Sequence, residues 1–393
     1  MKLLTYSTLY PNHVKKNKGI FVEQRLRKLL RLDHIDSKVV APIPWFPFKF
    51  DKFGEYAKFA LVRHQEKRNN IPIFHPKYFL IPKIGMSLAP LLLAIGTLPL
   101  LKKLIKEGFN FELIDAHYFY PDGVAAVILG KLLKKPVIIT ARGTDINLIP
   151  NYFLPRKMIL WAAKNSKANI TVCQALKDEL IAIGAEPEKI HVLRNGVDLD
   201  FFVPIDRDKA RKNYNLKRCT LLSVGFLVER KGHHFIIEAM QDLPEFDLLI
   251  VGDGPEFSNL KNLINNLGLD NRVKLLGAVP QQHLIEIYNV ADSLVLASSR
   301  EGWANVLLES MACGTPVVAT NIWGTPEVIQ KPEAGVLIQE RSAKGIVDAV
   351  TALFACYPDR NETRKYAEGF SWQETVDNLL QLMKQTIDTN NLN

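Results

Sequence analysis

Short apolar runs recur along the chain, and stretches with apolar positions at helical spacing lie between several of them. In the first half, runs at 1–7, 37–41, 111–116, 137–140, 168–172 and 190–193 predict strands. The pattern starts again after Asn195-Gly196, with runs at 221–224, 248–251, 273–276, 293–297, 317–319 and 335–338. Alternation of this kind predicts an α/β fold of two doubly wound, parallel-sheet domains. Such sheets bind ligands beyond the carboxyl ends of their strands, and two of them leave a cleft between.

Residues 84–101 carry no charge, between Lys83 and Lys102. That length touches the threshold for a membrane span. Pro90, Gly96, Thr97 and Pro99 interrupt it, and the strand–helix pattern continues on both sides. The run therefore predicts a helix packed on the first sheet. A last helical stretch begins near Ser371 and includes Trp372.

One segment concentrates candidate chemistry. The run at 293–297 leads into Ser298-Ser299-Arg300-Glu301-Gly302, and 303–313 has helical spacing with Val306, Leu307, Ser310 and Met311 as an inward stripe. Amides near Trp303, Ala304, Asn305 and Val306 would open that helix at the positive end of its dipole, which suits a phosphate. Gly302 would let a ligand approach the backbone. Glu309 lies about two turns into the helix, roughly 9–12 Å along it. A carboxylate accepts two hydroxyl hydrogens, so Glu309 suits a vicinal diol such as a ribose. Glu301 would face whatever hangs from the far phosphate. A nucleoside diphosphate carrying a sugar fits all three positions.

Composition narrows the setting. The chain has 393 residues, 47% of them apolar, enough for two or three domains. Four cysteines lie far apart, in no metal-ligand spacing. The opening residues read as a strand and not as a secretory leader. Net charge is +9, unevenly spread: residues 1–200 hold 31 Lys and Arg against 17 Asp and Glu (+14), whereas 201–393 hold 19 against 24 (−5). Lys15, Lys16, Lys18, Arg25, Arg27, Lys28 and Arg31 cluster early, and 45–53 mixes Trp45, Phe46, Phe48, Phe50 and Phe53 with Lys49 and Lys52. Basic residues among aromatic rings suit an anionic membrane surface. No nucleic-acid-binding signature is present.

The segment Ser298 to Thr320, with Glu301 eight residues before the Glu309 of Leu308-Glu309-Ser310-Met311-Ala312 and then Gly314-Thr315-Pro316-Val317-Val318-Ala319-Thr320, resembles the signature of family 4 retaining glycosyltransferases. Asn195-Gly196-Val197-Asp198, Lys231-Gly232, Gly252-Asp253-Gly254-Pro255 and Gly324-Thr325-Pro326-Glu327 match further motifs in order. Leu9-Tyr10-Pro11, Lys18 to Gln24 and Ala141-Arg142-Gly143-Thr144-Asp145 resemble the teichuronic-acid-type subgroup. The resemblance implies the GT-B fold: an acceptor-binding domain over 1–198, a nucleotide-sugar domain over 199–370, and 371–393 packing back onto the first. It implies a UDP-sugar donor, held by Gly19, Arg230, Lys231, Glu301, Gly302, Trp303, Ala304, Asn305, Val306 and Glu309. His117, Lys231 and Glu301 would act at the transferred sugar and diphosphate, and Arg142 with Asp145 at the acceptor. It implies no metal and no cofactor, a glycan or polyprenyl-diphosphate-linked acceptor, and a cytoplasmic place at the inner face of a membrane. Family members usually carry an Arg where this chain has Phe226, and Arg230 is the neighbouring cation that could stand in.

Two other motifs point elsewhere. Gly252-Asp253-Gly254-Pro255 is half a dinucleotide fingerprint, but the third Gly is missing and Pro255 removes an amide, so it reads as a turn. Asp198-Leu199-Asp200 has metal-type spacing in the interdomain segment. A sugar-nucleotide epimerase on the same fold and a non-catalytic nucleotide-sugar-binding subunit remain alternatives, the latter because of Phe226.

Overall fold

The computed structural model describes residues 1–391 apart from positions 17, 33, 51, 53 and 81–84. The chain divides into two compact units: unit 1 is Met1–Arg194 with Glu374–Asn393, and unit 2 is Asn195–Gln373.

Unit 1 is built on β1 (Lys2–Tyr6), β2 (Asp36–Val40), β3 (Ile43–Pro44), β4 (Gln65–Arg68), β5 (Ile71–Phe74), β6 (Lys77–Tyr78), β7 (Leu113–His117), β8 (Val137–Thr140), β9 (Ala168–Thr171) and β10 (Ile190–Val192). Eight of these form one sheet in the order β10-β9-β8-β7-β1-β2-β5-β4, and β3 pairs β6 beside it. All ladders of the large sheet are parallel except β4–β5. That antiparallel edge was not expected from the sequence. It is a hairpin whose two connecting residues, Asn69 and Asn70, both have φ > 0 (49° and 64°), the geometry that matches the twist of paired strands.

Strand side chains alternate between faces. Leu3, Val39, Leu113 and Ile138 turn toward the helix Ile20–Leu29 and toward Val376, Leu379, Met383 and Ile387 of the last helix, Trp372–Asn391. Each fully buried Leu or Ile contributes about 1.5–3 kcal/mol to this layer. Val137 and Ile139 turn the other way. There Gly130 and Gly123 let the helix Val124–Leu133 close down; a Cβ at either would lie 2.4 Å and 2.7 Å from those side chains.

The uncharged run becomes the helix Ala89–Lys106, with Pro90 in its first turn and Pro99 inside it. It lies on the sheet as expected, with Thr97 buried 3.4 Å from the Tyr6 hydroxyl. It starts and ends later than the uncharged run, whose first residue lies outside the described residues. No helix among the described residues is long and apolar enough to cross a membrane.

Unit 2 holds β11 (Cys219–Val224), β12 (Phe246–Val251), β13 (Val273–Gly277), β14 (Ser293–Leu296), β15 (Val317–Thr320) and β16 (Gly335–Ile338). They form one parallel sheet in the order β13-β12-β11-β14-β15-β16. Chain order reverses between β11 and β14, so the loops after those two strands diverge and leave a crevice at their carboxyl ends. Leu221, Leu248, Val295 and Val318 pack under Ile236, Ile346 and Val350 to close one face.

Candidate active site

The reversal point of unit 2 is where its candidate residues gather. After β11 the chain runs through Gly225 and exposed Phe226 to a short turn, Glu229–Lys231. Gly232 follows with φ 69°, and a Cβ there would lie 2.2 Å from the Ala297 carbonyl. Only glycine fits that conformation and approach, so the two loops close on each other. The Ser299 amide donates to the Arg230 carbonyl at 2.7 Å. Arg341 donates to the Ala297 and Glu229 carbonyls, at 2.8 Å and 3.2 Å, and clamps both loops from behind.

These constraints bring Lys231 and Glu301, 70 residues apart in sequence, into an ion pair of 2.5 Å. The Ser298 hydroxyl donates to the same Glu301 oxygen at 2.7 Å. Burial alone would raise the Glu301 carboxyl, but Lys231 and Ser298, helped by the Arg230 charge, hold it below its ordinary value. Arg230 itself donates to the Arg300 carbonyl at 3.3 Å. Its charge therefore reaches the pair, whereas Phe226 is 57% exposed.

Beyond Glu301 the loop is braced from the start of the unit. The Trp303 indole N–H donates to the Asn195 carbonyl at 2.9 Å, and the Asn195 amide donates to Asn305 Oδ1 at 3.3 Å. Gly302 is buried and keeps an ordinary negative φ, so flexibility is not its role. The helix runs Asn305–Ala312 with no side-chain cap at its N-terminus. The Asn305 amide bonds to the Trp303 carbonyl at 3.1 Å. Leu307, Ser310 and Met311 are buried as expected; Leu308 replaces half-buried Val306 in the inward stripe.

Glu309 points from this helix to Tyr288, whose hydroxyl donates to Oε2 at 2.8 Å. Oε1 has no protein partner among the described residues. Burial pushes the Glu309 carboxyl up to about 7, despite the Tyr288 bond acting the other way. Nothing in the sequence pointed to Tyr288, which lies 21 positions upstream on another helix, Gln281–Val290.

In unit 1 the order also reverses, between β1 and β7. Gly19 opens the helix after β1 with φ 68°, and a Cβ there would lie 2.2 Å from the Leu9 carbonyl. His117 ends β7 but is only 1% exposed. Its Nδ1 meets Arg142 Nη2 at 2.5 Å and its Nε2 meets Asp115 at 3.1 Å. An arginine can only donate, so Nδ1 accepts and Nε2–H donates to Asp115. Burial, outweighing Asp115, drives the ring's pKa down to about 3. The expected catalytic contact therefore changes character: the ring is neutral, has both nitrogens engaged, and positions Arg142.

Two sequence expectations are corrected here. Asp145 does not face an acceptor. It is fully buried and accepts from the backbone amides of Phe119, Arg142 and Gly143 at 2.7–3.0 Å, which shapes the loop. Arg25 does not belong to a basic surface. It is 3% exposed and grips both oxygens of Asp115 at 2.7 Å and 2.9 Å. The Gly252–Pro255 segment is a turn, as expected. Gly252 and Gly254 let it pack against the loop after β11, with the Leu227 amide donating to the Asp253 carbonyl at 2.9 Å. Among the described residues, no cluster of three His, Cys, Asp or Glu is placed to hold a metal.

Known families match both units. Residues 204–370 match the glycosyl transferases group 1, and residues 63–201 match glycosyltransferase family 4. The chain belongs to the family 4 glycosyltransferases. This transferase is 28% identical, over 89% of its length and 88% of the relative's, to a putative teichuronic acid biosynthesis glycosyltransferase of Bacillus subtilis strain 168. It is 28% identical, over 63% of its length and 67% of the relative's, to N-acetyl-alpha-D-glucosaminyl L-malate synthase of Bacillus anthracis. Solved structures share the two-domain GT-B architecture. Sucrose-phosphate synthase of Thermosynechococcus elongatus aligns with a TM-score of 0.80 at 18% identity, covering 99% of both chains. Anabaena HepE, solved in complex with UDP-glucose, aligns with a TM-score of 0.71 at 19% identity, covering 100% of this chain and 99% of that one.

Proposed function

We propose that this transferase moves a hexose-type sugar from a UDP-sugar to a glycan or polyprenyl-diphosphate-linked acceptor in surface-polysaccharide synthesis, with retention at the anomeric carbon and without a metal. The observation that carries this reading is the pairing of Lys231 with Glu301 at the reversal point of unit 2, one helix away from the half-occupied carboxylate of Glu309. Glu309 Oε1 takes the ribose hydroxyls. The diphosphate meets Lys231, Arg230 and the first turn of the helix Asn305–Ala312, which no side chain caps, and Glu301 turns to the sugar hydroxyls. The bond from C1 to the diphosphate breaks, the acceptor oxygen bonds C1 on the same face, and the acceptor proton passes to the departing diphosphate. Negative charge develops on that leaving group, so holding it accounts for the largest part of the rate enhancement. In unit 1, Arg142 held by His117 serves the acceptor side. The relative from Bacillus subtilis supports the polysaccharide setting, and Anabaena HepE supports UDP-glucose as the first donor to try.

The inner face of a membrane suits unit 1. Trp45, Phe48, Phe50 and Phe79 are 45–65% exposed, with Lys52 over the Phe50 ring at 5.8 Å; Phe53 lies outside the described residues.

Thermal shift with UDP, GDP and ADP, each with Mg²⁺ and with EDTA, tests the donor. A ligand at a hundred times its Kd adds about 2.7 kcal/mol of stability. UDP is expected to raise Tm equally with and without EDTA; no shift with UDP defeats the reading. Glu309 adds a pH signature. With a folded pKa near 7, it is charged above that value and protonated below it. The charged form accepts a diol, so UDP affinity is expected to fall as pH drops through 7 in the wild type. In Glu309→Gln, affinity should be lower and lack that component. Parallel pH profiles for the two proteins would remove the ribose assignment.

A further inference from the structure

Unit 1 contains a second basic site, at the end of its sheet opposite His117. It is a cavity of about 530 Å³ whose lining includes Lys131, Lys134, Lys135, Lys167, Asn165 and Val137. Val137 begins β8, so the cavity opens at the amino end of the sheet, whereas Gly19, His117 and Arg142 follow carboxyl ends. Among the described residues its lining includes no carboxylate.

Helix dipoles account for part of this. The helices Val124–Leu133 and Phe153–Asn165 both end here, and cations favour helix C-termini. They do not account for how the ammonium groups are held. Lys131 donates to Asn165 Oδ1 at 2.5 Å and Lys135 to Asn110 Oδ1 at 2.8 Å. Both partners are neutral amides, which orient the ammonium groups without neutralising them. Each ammonium has three donors, and among the described residues one on each is used. Burial pulls the Lys135 pKa down, with Glu112 the acid acting against it. Lys134 closes the first helix with φ 55°, a left-handed position where glycine is usual. A lysine kept in that conformation carries a backbone cost that a charge-bearing role would offset. The ring of Trp161, 38% exposed, sits 5.1 Å from Lys131 Nζ.

We propose that this cavity binds a phosphate group, as a phosphate ester or a phospholipid headgroup, at a site separate from sugar transfer. Four lysines line the one cavity, and lysines are point charges suited to phosphate. The exposed ring of Trp161 beside Lys131 would pack on the glycerol and first chain carbons of a lipid.

The test titrates the full-length chain with inorganic phosphate and glycerol 3-phosphate by calorimetry. It also measures co-flotation with vesicles of phosphatidylglycerol in phosphatidylcholine. Two triple variants are compared: Lys131→Gln/Lys135→Gln/Lys167→Gln at the cavity, and Lys102→Gln/Lys103→Gln/Lys106→Gln on the exposed face of another helix. The cavity variant is expected to lose roughly tenfold or more in affinity, the other less than about twofold. Binding of the soluble esters assigns the site to free phosphate compounds; binding of vesicles alone assigns it to the headgroup. Lys167→Glu, a single exposed replacement, serves if the triple variant does not fold. Equal losses in the two triple variants, or no binding of any probe by the wild type, would overturn the proposal.

Discussion

Lys231→Met is expected to lower kcat for sugar transfer by roughly 10²–10³-fold while changing KM for the donor much less. That is the effect of removing one preorganised donor from developing charge. Lys231 sits beside Gly225, on a loop that Gly232 and Arg341 hold fixed, so little reorganisation is needed when the diphosphate departs. The replacement also strips Glu301 of its main counter-charge. Burial then acts with less opposition, and the Glu301 carboxyl rises from its depressed value. The acid limb of the pH–rate profile should therefore move to higher pH in the variant. Steady-state kinetics with UDP-glucose from acid to neutral pH reads both effects. A variant within threefold of wild-type kcat would mean that the departing charge is met elsewhere, with Arg230 the first candidate.

The largest expected loss of stability comes from Arg25→Met. Asp115 is buried, and burial alone would raise its carboxyl; Arg25, then His117, hold it well below the usual carboxylate range. Removing Arg25 leaves that charge without its main partner, which costs about 3–5 kcal/mol. Chemical denaturation followed through the unit 1 transition measures it, and a loss under 1 kcal/mol would contradict the buried pair. His117 adds a pH dependence of its own. Its folded pKa of about 3 lies below the ordinary 6.5, so the unfolded chain binds more protons between those values. Stability therefore rises with pH across that window and falls as pH is lowered through it.

Unit 2 was nearly transparent in the sequence because its strands are continuous apolar runs between glycine-bearing loops. Helix covers both faces of such a sheet, so the strands need no polar alternation. Unit 1 hid more. Gln65–Arg68 is an edge strand made wholly of polar residues, so no hydrophobic pattern marks it. The Asn69-Asn70 turn was its only signal. Arg25 reads as a surface cation because neighbouring lysines and arginines surround it in sequence; its partner, Asp115, is 90 positions away. Tyr288 stays hidden for the same reason. Local pattern locates Glu301 and Glu309, but the groups that tune them arrive through tertiary packing.

The strand order of unit 2 also bears on how the protein is made. Lys231 emerges from the ribosome 70 residues before Glu301, and its loop has no ion-pair partner until β14 has docked beside β11. Long-range pairing of this kind forms late, after its loop-closure entropy has been met. A nascent chain ending before β14 therefore holds half a sheet and lacks the proposed donor site. Binding of a nucleotide would then report that synthesis has passed this point and that the sheet has closed correctly. That makes the ligand a natural probe for truncated or misassembled chains.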